Sequence, residues 1–150
     1  MKIRSAAGIP TLPEIECACA TVRRAARLLT QLYDEELRES VQASQFALLS
    51  ALEKRPGCNQ AILSRALAFD KTTLSRNLSL MQKKGWIRVA AAEDRRERGF
   101  CLTAAGKKLL ERAQNRLRSA MTSQQWDSMW QVLRYVTDAA YRAAIQKGDQ

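Results

Sequence analysis

Residues 59–103 place the strongest constraint on how this 150-residue chain folds. Two short segments there have apolar residues at helical spacing, and Asn59 and Asp70 precede them in the position of helix-capping side chains. Gly85 follows the second segment, where a left-handed residue commonly ends a helix. Two apolar strand-like runs then flank ten residues, 90–99, of which six are charged. This order predicts two helices joined by a tight turn and followed by a two-stranded ribbon with its tip in solvent.

Positive charge is concentrated in the same part of the chain. The chain carries 25 Lys and Arg against 15 Asp and Glu, a net charge of +10. Residues 54–103 hold eleven of the basic and four of the acidic residues, and thus +7 of that charge. An excess of positive charge on one element favours an anionic partner, nucleic acid first. The alternatives are an ordinary solvated surface and an acidic membrane surface.

The second helix of this stretch, about residues 71–84, has one apolar face. Leu74, Leu78 and Met81 follow helical spacing and are expected to face the core. The outward face is small, polar and basic, which suits the major groove of DNA, where Arg76 is expected to contact guanine. Asn77 lies at the margin of that face and either reads adenine or packs. The candidate DNA-contacting residues on this helix are Thr72, Thr73, Ser75, Arg76, Asn77 and Lys83.

The ribbon supplies a second set of candidates. A long arginine on a protruding hairpin suits a narrow minor groove, where the negative potential is enhanced. Arg96 is the first candidate for that position, and Arg95 and Arg98 are expected to contact phosphates. Asp94 is expected to pair with a neighbouring arginine and hold the shape of the hairpin. The helix is therefore expected to determine sequence preference and the ribbon to determine affinity.

Two helices are predicted before this stretch. A capping box formed by Thr11 and Glu14 predicts a first helix of about 25 residues, twice the usual length. Ser44 is the expected N-cap of the second helix, which should end near Pro56.

Two further helices are predicted after the ribbon, capped by Thr103 and Thr122. The first and sixth helices carry long apolar stripes, and one winged domain has too few other elements to cover both. The stripes therefore predict a homodimer, and the alternative is a bundle of the first, fifth and sixth helices within one chain. The fold class is mainly α with a small β-wing, in one domain over residues 1–150. Residues 11–40 and 103–147 would form the dimerisation helices, and residues 41–103 a winged helix-turn-helix lobe.

Several function classes are disfavoured by composition. The chain has no His, which removes the commonest general base and zinc ligand, so we expect no enzyme, metal or cofactor. No apolar run approaches the roughly 18 residues needed to span a bilayer, and no secretion signal is visible. We therefore expect a cytoplasmic location. Membrane-surface binding is also disfavoured, because the aromatic residues fall on predicted core stripes and not beside the arginine cluster.

Three motifs closely resemble the multiple-antibiotic-resistance regulator (MarR) family: A-I-L-S-R-A-L-x-x-D-K-T-T-L-S-R-N-L, M-Q-K-K-G-W-I and E-D-R-R-E-R-G-F-C-L-T-A-A-G. The resemblance covers about residues 15–136. It implies a six-helix winged domain that dimerises through its first, fifth and sixth helices and binds pseudo-palindromic operators. It also implies repression until a small phenolic ligand or an oxidant releases the DNA. By this resemblance the groove-facing positions are Thr72, Thr73 and Arg76, and the wing positions are Asp94 and Arg96.

The signal that releases DNA has two candidate routes. By the resemblance, a small-molecule effector would bind between the dimer helices and the DNA-reading lobe. Candidate pocket residues are Tyr33, Phe46, Trp126 and Trp130, each of which could instead be plain core.

The alternative is a thiol-based redox sensor that uses Cys17 or Cys19. Arg23 and Arg24 lie within two turns of Cys17, which favours its thiolate if it stands near a helix N-terminus. Two residues separated by one position on a helix point about 200° apart, so a disulfide between these thiols would need local unwinding. Buried cysteines are most often small hydrophobic residues, which is the competing interpretation.

Overall fold

The computed structural model describes residues 16–38, 40–91 and 98–148. These residues form six helices and a small three-stranded sheet, as the fold class predicts. The helices are α1 (Ala18–Leu37), α2 (Ala43–Lys54), α3 (Gln60–Leu67), α4 (Lys71–Lys83), α5 (Ala104–Ala120) and α6 (Ser123–Gly148). The strands are β1 (Cys58–Asn59), β2 (Ile87–Ala91) and β3 (Arg98–Leu102). The chain divides into two compact units, one ending at Leu32 and one beginning at Tyr33.

Helix α1 begins later than predicted. It starts at Ala18 and has 20 residues, because Glu16 and Cys17 are not helical. The Cys17 carbonyl accepts a hydrogen bond from the Thr21 N–H at 2.9 Å, which places Cys17 at the N-cap. The sequence interpretation placed the start of the helix before these two residues and so overestimated its length. The capping box of Thr11 and Glu14 lies outside the described residues.

Helix α2 starts two residues before the sequence interpretation placed it, so Ser44 is not its N-cap. Gln42 holds that position, and its N–H donates to Oε1 of Gln45 at 3.3 Å. The Asp34 carboxylate accepts a second bond, from the Ala43 N–H at 2.9 Å. A carboxylate beside these unpaired amides also interacts favourably with the helix dipole. The helix ends at Lys54, slightly before Pro56.

The predicted caps of the helix-turn-helix are confirmed. Oδ1 of Asn59 accepts the Ile62 N–H at 2.8 Å, and Oδ1 of Asp70 accepts the Thr73 N–H at 2.9 Å. Ala68 ends α3 with φ of 52°, a left-handed conformation that is uncommon for a residue with a Cβ. Gly85 follows α4 with φ of 70°, as its predicted role requires.

The sheet has the order β1-β3-β2, with both neighbouring pairs antiparallel. Phe100 in the central strand pairs with Val89 of β2 on one side and Cys58 of β1 on the other. The β2–β3 ribbon confirms the predicted hairpin strands. Strand β1 was not predicted, since two residues carry no alternating pattern of their own.

One hydrophobic core joins α2, α3, α4, α5 and the sheet. The fully buried side chains include Leu48 and Leu49 of α2, Leu74 of α4 and Leu110 of α5. These residues occupy the inward positions that helical spacing predicts. The helix-turn-helix and the wing strands are therefore held on one packed core.

Helix α6 is different, because none of its side chains described here, residues 123–146, is buried. Its predicted capping box is present: Thr122 N–H donates to Oε1 of Gln125 at 2.9 Å, and Gln125 N–H donates to Oγ1 of Thr122 at 3.2 Å. From Arg134 to Gln146 every side chain is exposed. The exposed large apolar residues of this helix are Trp130, Val132, Tyr135, Val136, Tyr141 and Ile145.

Candidate nucleic-acid interface

Helix α4 has one buried face and one exposed face. Leu74, Leu78 and Met81 are buried in the core, at 0%, 3% and 0% exposure. Five of the six candidate residues on this helix are exposed: Thr72, Thr73, Ser75, Arg76 and Lys83. A helix held on the core by one apolar face can present the opposite face to a DNA groove.

The sixth candidate, Asn77, is half-buried. Its Nδ2 donates to the Thr73 carbonyl one turn earlier, at 3.0 Å. The amide keeps its second N–H and its Oδ1, which are the groups that a contact with adenine uses. That Asn77 reads DNA stays a prediction.

The N-terminus of α4 is fixed by Asp70. Hydrogen bonds from the Thr73 side chain and then from its backbone N–H hold the pKa of the Asp70 carboxyl below its ordinary value. The cap is therefore ionised at neutral pH. The Thr73 amide and hydroxyl both donate to Asp70, so toward DNA the exposed hydroxyl oxygen can act only as an acceptor.

A cleft of about 670 Å³ lies between α3, α4 and β3. Lys71 at the start of α4 and Arg98 at the start of β3 both line it. The rest of the described lining consists of Asn59, Gln60, Ala61, Ser64, Ser75, Leu78, Ser79, Gln82 and Phe100. Among these described residues there is no carboxylate, so the cleft offers two cations, amides and hydroxyls to an anion.

Sequence reasoning missed three of these residues, Gln60, Lys71 and Gln82. Lys71 and Gln82 flank the apolar stripe of α4 on the side toward α3, and Gln60 opens α3. A helical projection of α4 places Lys71 and Gln82 on the same side of the helix as Ser75. The cleft itself forms only because α3 and β3 pack against that side of α4.

The wing candidates are only partly described. Arg98 is exposed at the first position of β3. Asp94, Arg95 and Arg96 lie outside the described residues, so their minor-groove and phosphate contacts stay predictions.

A second cleft, of about 800 Å³, lies in the unit that begins at Tyr33. All four predicted pocket residues line it: Tyr33, Phe46, Trp126 and Trp130. The Tyr33 ring packs edge-on against Phe46, with centroids 5.6 Å apart, and against Trp126, with centroids 6.4 Å apart. The structure thus brings together aromatic residues from α1, α2 and α6.

Polar groups accompany these rings. Burial raises the pKa of the Tyr33 phenol, so it is neutral at physiological pH and can donate a hydrogen bond. Nε1 of Trp126 is buried and has no hydrogen-bond partner within the described chain. Lys54 and Arg118 supply positive charge to the lining, and Glu53 and Asp127 supply negative charge. This combination of apolar walls and a few polar groups is typical of a small-molecule site.

The two candidate thiols lie in the unit that ends at Leu32, and both are exposed. Cys17 precedes α1 and Cys19 is in its first turn. We expected both cysteines to occupy a regular helix, with side chains about 200° apart. That expectation is wrong, because Cys17 precedes the helix. Nor is Cys19 buried on an apolar stripe.

Neither a membrane-spanning helix nor a metal-binding cluster occurs in the part of the chain that the structure describes. No helix there is both long and apolar enough to cross a membrane. No three His, Cys, Asp or Glu side chains of residues 16–38, 40–91 and 98–148 gather as a metal-binding group would require.

The fold and the exposed polar face of α4 define a winged helix-turn-helix protein of the DNA-binding, transcription-regulating class. The model of the MarR family matches residues 40–97. The transcriptional regulator MosR of M. tuberculosis, solved in complex with DNA, is 33% identical, with a TM-score of 0.67 over 85% of this chain and 98% of that one. The chain belongs to the MarR family of transcriptional regulators.

Two other relatives agree with this assignment. The regulator HosA of Escherichia coli O157:H7 is 37% identical over 70 residues, which is 46% of this chain and 52% of HosA. The chain thus spans about half the length of this curated relative. The apo form of MarR from E. coli is 21% identical and shares the fold, with a TM-score of 0.67 over 82% of this chain and 98% of that one.

Proposed function

We propose that this protein is a repressor that binds a pseudo-palindromic operator as a homodimer and leaves the DNA when a small ligand binds. In this proposal α4 enters the major groove and the β2–β3 wing enters the minor groove. The observation that carries the proposal is that α4 has an exposed, polar and basic face opposite its buried apolar face. The DNA complex of the 33% identical MosR supports it.

The contacts divide into two kinds. Arg76, with Thr72 and Thr73 in the turn before it, supplies the base contacts, since an exposed arginine in mid-helix can reach guanine. Lys71, Arg98 and the amides of the α3–α4–β3 cleft hold one strand of the phosphate backbone, because phosphate contacts set position and base contacts set specificity. Arg95 and Arg96 add contacts in and beside the minor groove.

A second copy of the chain covers the exposed face of α6 in this proposal. Tyr135 is 77% exposed and Tyr141 is 68% exposed, which is unusual for large aromatic residues on a helix. Apolar surface of this kind marks an association site. A twofold-related copy would place two recognition helices about one DNA turn, roughly 34 Å, apart.

The 800 Å³ cleft is the proposed effector site. Tyr33, Phe46 and Trp126 would pack against an apolar or aromatic body, and the neutral Tyr33 hydroxyl would donate to a polar substituent. Arg118 favours a substituent with negative charge. An occupant of this cleft touches α1, α2, α5 and α6, so it can change how the DNA-reading lobe is oriented.

A redox-sensing regulator of the same fold is the second candidate. The observation that favours it is the exposure of both Cys17 and Cys19 at a helix end, where oxidants have access. Because Cys17 lies before α1, a disulfide at Cys17 requires less unwinding of the helix than a disulfide between two cysteines within it. Replacement of both residues by Ser should abolish DNA release by peroxide, and a double variant that still releases DNA after peroxide treatment would exclude sensing by these two thiols.

Footprinting and fluorescence anisotropy test the DNA proposal. Footprinting of the region upstream of the protein's own gene should locate a protected pseudo-palindrome, which then serves as the labelled duplex. Affinity for it should fall steeply with salt and exceed affinity for random duplex of equal length. Equal affinity for both duplexes would instead indicate a general polyanion binder. Light scattering at micromolar concentration should give a dimer, and a monomer would favour the bundle within one chain.

A further inference from the structure

A single threonine joins the DNA-reading elements to α5. Oγ1 of Thr103 accepts the Gly106 N–H at 3.1 Å and so caps α5. The same hydroxyl lies within hydrogen-bond distance of two carbonyl oxygens, that of Gly85 at 2.6 Å and that of Trp86 at 3.1 Å. A hydroxyl has one proton to donate, and the shorter bond, to Gly85, uses it. The Thr103 N–H donates to the carbonyl of Trp86, the residue after Gly85, at 3.0 Å.

The acceptors of these bonds are themselves anchored to α4. The Gly85 N–H donates to the Gln82 carbonyl, and the Trp86 N–H donates to the Met81 carbonyl, each at 2.9 Å. In the link between α4 and β2, Gly85 and Trp86 therefore have their amides bonded to α4 and their carbonyls bonded to Thr103. This arrangement leaves the link little freedom to rotate.

Backbone packing reinforces the same junction. A Cβ on Gly106 would overlap the Trp86 carbonyl oxygen and lie 3.0 Å from the carbonyl carbon. The first turn of α5 thus touches the start of the wing with no side chain between them. Thr103 also directly follows β3, so α4, β2, β3 and α5 all meet within a few residues.

We propose that Thr103 is a positioning residue that fixes the recognition helix and the wing to α5. Its hydroxyl keeps the two DNA-contacting elements at one angle to the helices of the proposed dimer, and so keeps one distance between the two half-site readers. This inference rests on the proposed binding of a twofold operator by a homodimer. The bond that matters is the donation to Gly85, beyond the cap that the hydroxyl gives α5.

Three substitutions separate capping from positioning. Thr103→Val removes both roles at nearly constant volume, and Thr103→Ser retains both. Thr103→Asp retains a capping acceptor but, when ionised, has no proton for the Gly85 carbonyl. Thr122 provides the matched controls, because its cap of α6 is bonded within residues 122–125. Thr122→Val and Thr122→Asp therefore repeat the loss of a cap and the change of charge without the Gly85 bond.

The experiment measures anisotropy of full-length protein on two duplexes, the natural operator and one with a single base pair inserted between half-sites. Circular dichroism selects a temperature at which every variant tested is folded. Thr103→Val and Thr103→Asp should bind the natural operator about five- to tenfold more weakly, which is the worth of one hydrogen bond. Their preference for natural over lengthened spacing should shrink toward unity. Thr103→Ser and the Thr122 variants should keep the wild-type preference.

Three results would contradict the inference. A folded Thr103→Val or Thr103→Asp protein with wild-type affinity and spacing preference would overturn it. So would weaker binding by the same factor on both duplexes, since that indicates lost affinity without altered geometry. If Thr103→Val is unfolded, Thr103→Asp decides between these outcomes. Wild-type protein that ignores spacing would instead overturn the proposed dimeric operator binding, and this inference with it.

Discussion

Replacement of Gly106 by Ala should destabilise the protein, although alanine is the better helix former. Gly106 is buried in the first turn of α5, and its added Cβ would overlap the Trp86 carbonyl oxygen. Both sides of this contact are backbone, so neither can move away as a flexible side chain would. Overpacking typically costs about 1 to 3 kcal/mol, whereas Ala gains about 0.5 to 1 kcal/mol over Gly in a helix. Because the overlap with the carbonyl oxygen is severe, the overpacking cost falls at the upper end of its range, and we expect a net loss of about 2 kcal/mol in the free energy of unfolding.

Thermal unfolding at a fixed protomer concentration measures this loss. For a chain of this length about 2 kcal/mol lowers Tm by roughly 4 to 8 °C. Gly85→Ala is the matched control, because its φ is +70° but no atom lies within 4 Å of the added Cβ. That variant carries backbone strain without a clash, and should lose about 1 kcal/mol or less. A Gly106→Ala protein as stable as wild type would refute the close approach of α5 to the wing.

Three further predictions concern α4 and the turn before it. Ala68→Gly should raise the free energy of unfolding by about 0.5 to 1 kcal/mol, since glycine adopts the left-handed φ of 52° without strain; urea unfolding showing a loss would contradict this. Arg76→Ala should cost about 1 to 3 kcal/mol of operator binding and relax base preference, whereas Lys71→Ala should weaken all duplexes alike and reduce the salt slope by about 1. Equal, sequence-independent losses for both variants would contradict this division into a base contact and a phosphate contact. The Asp70 carboxyl has a lowered pKa, so its stabilisation is present above its ordinary value of 3.8 and is lost as pH falls through the folded-state value; Asp70→Asn, which still caps, should show a smaller loss of stability between pH 7 and pH 3.

The parts of the fold that local chemistry controls were predictable from the sequence. Asn59, Asp70, Thr103 and Thr122 cap the helices that they were expected to cap, because a cap depends on one oxygen and an amide two or three residues away. The same holds for Gly85 after α4. Errors arose at the starts of the first two helices. The capping box of Thr11 and Glu14 placed the start of α1 too early, because Glu16 and Cys17 are not helical.

Features made by distant parts of the chain were not predictable. Strand β1 exists only because Cys58 pairs with Phe100 of β3, and two residues have no periodicity to detect. The α3–α4–β3 cleft joins Gln60 to Arg98, which no local pattern relates. The aromatic cleft was reached by a different route, since family resemblance indicated which rings to consider and the structure places all four on one surface.

The exposed aromatic face of α6 has a consequence for how the protein responds to its own concentration. If that face is covered only by a second copy, assembly and folding obey mass action, and each tenfold dilution removes about 1.4 kcal/mol of the driving force for pairing. Below the dissociation constant, the concentration of dimer falls with the square of the protomer concentration. Occupancy of the operator would then respond steeply to synthesis and degradation of the chain, so that a cell could relieve repression by dilution during growth without any effector.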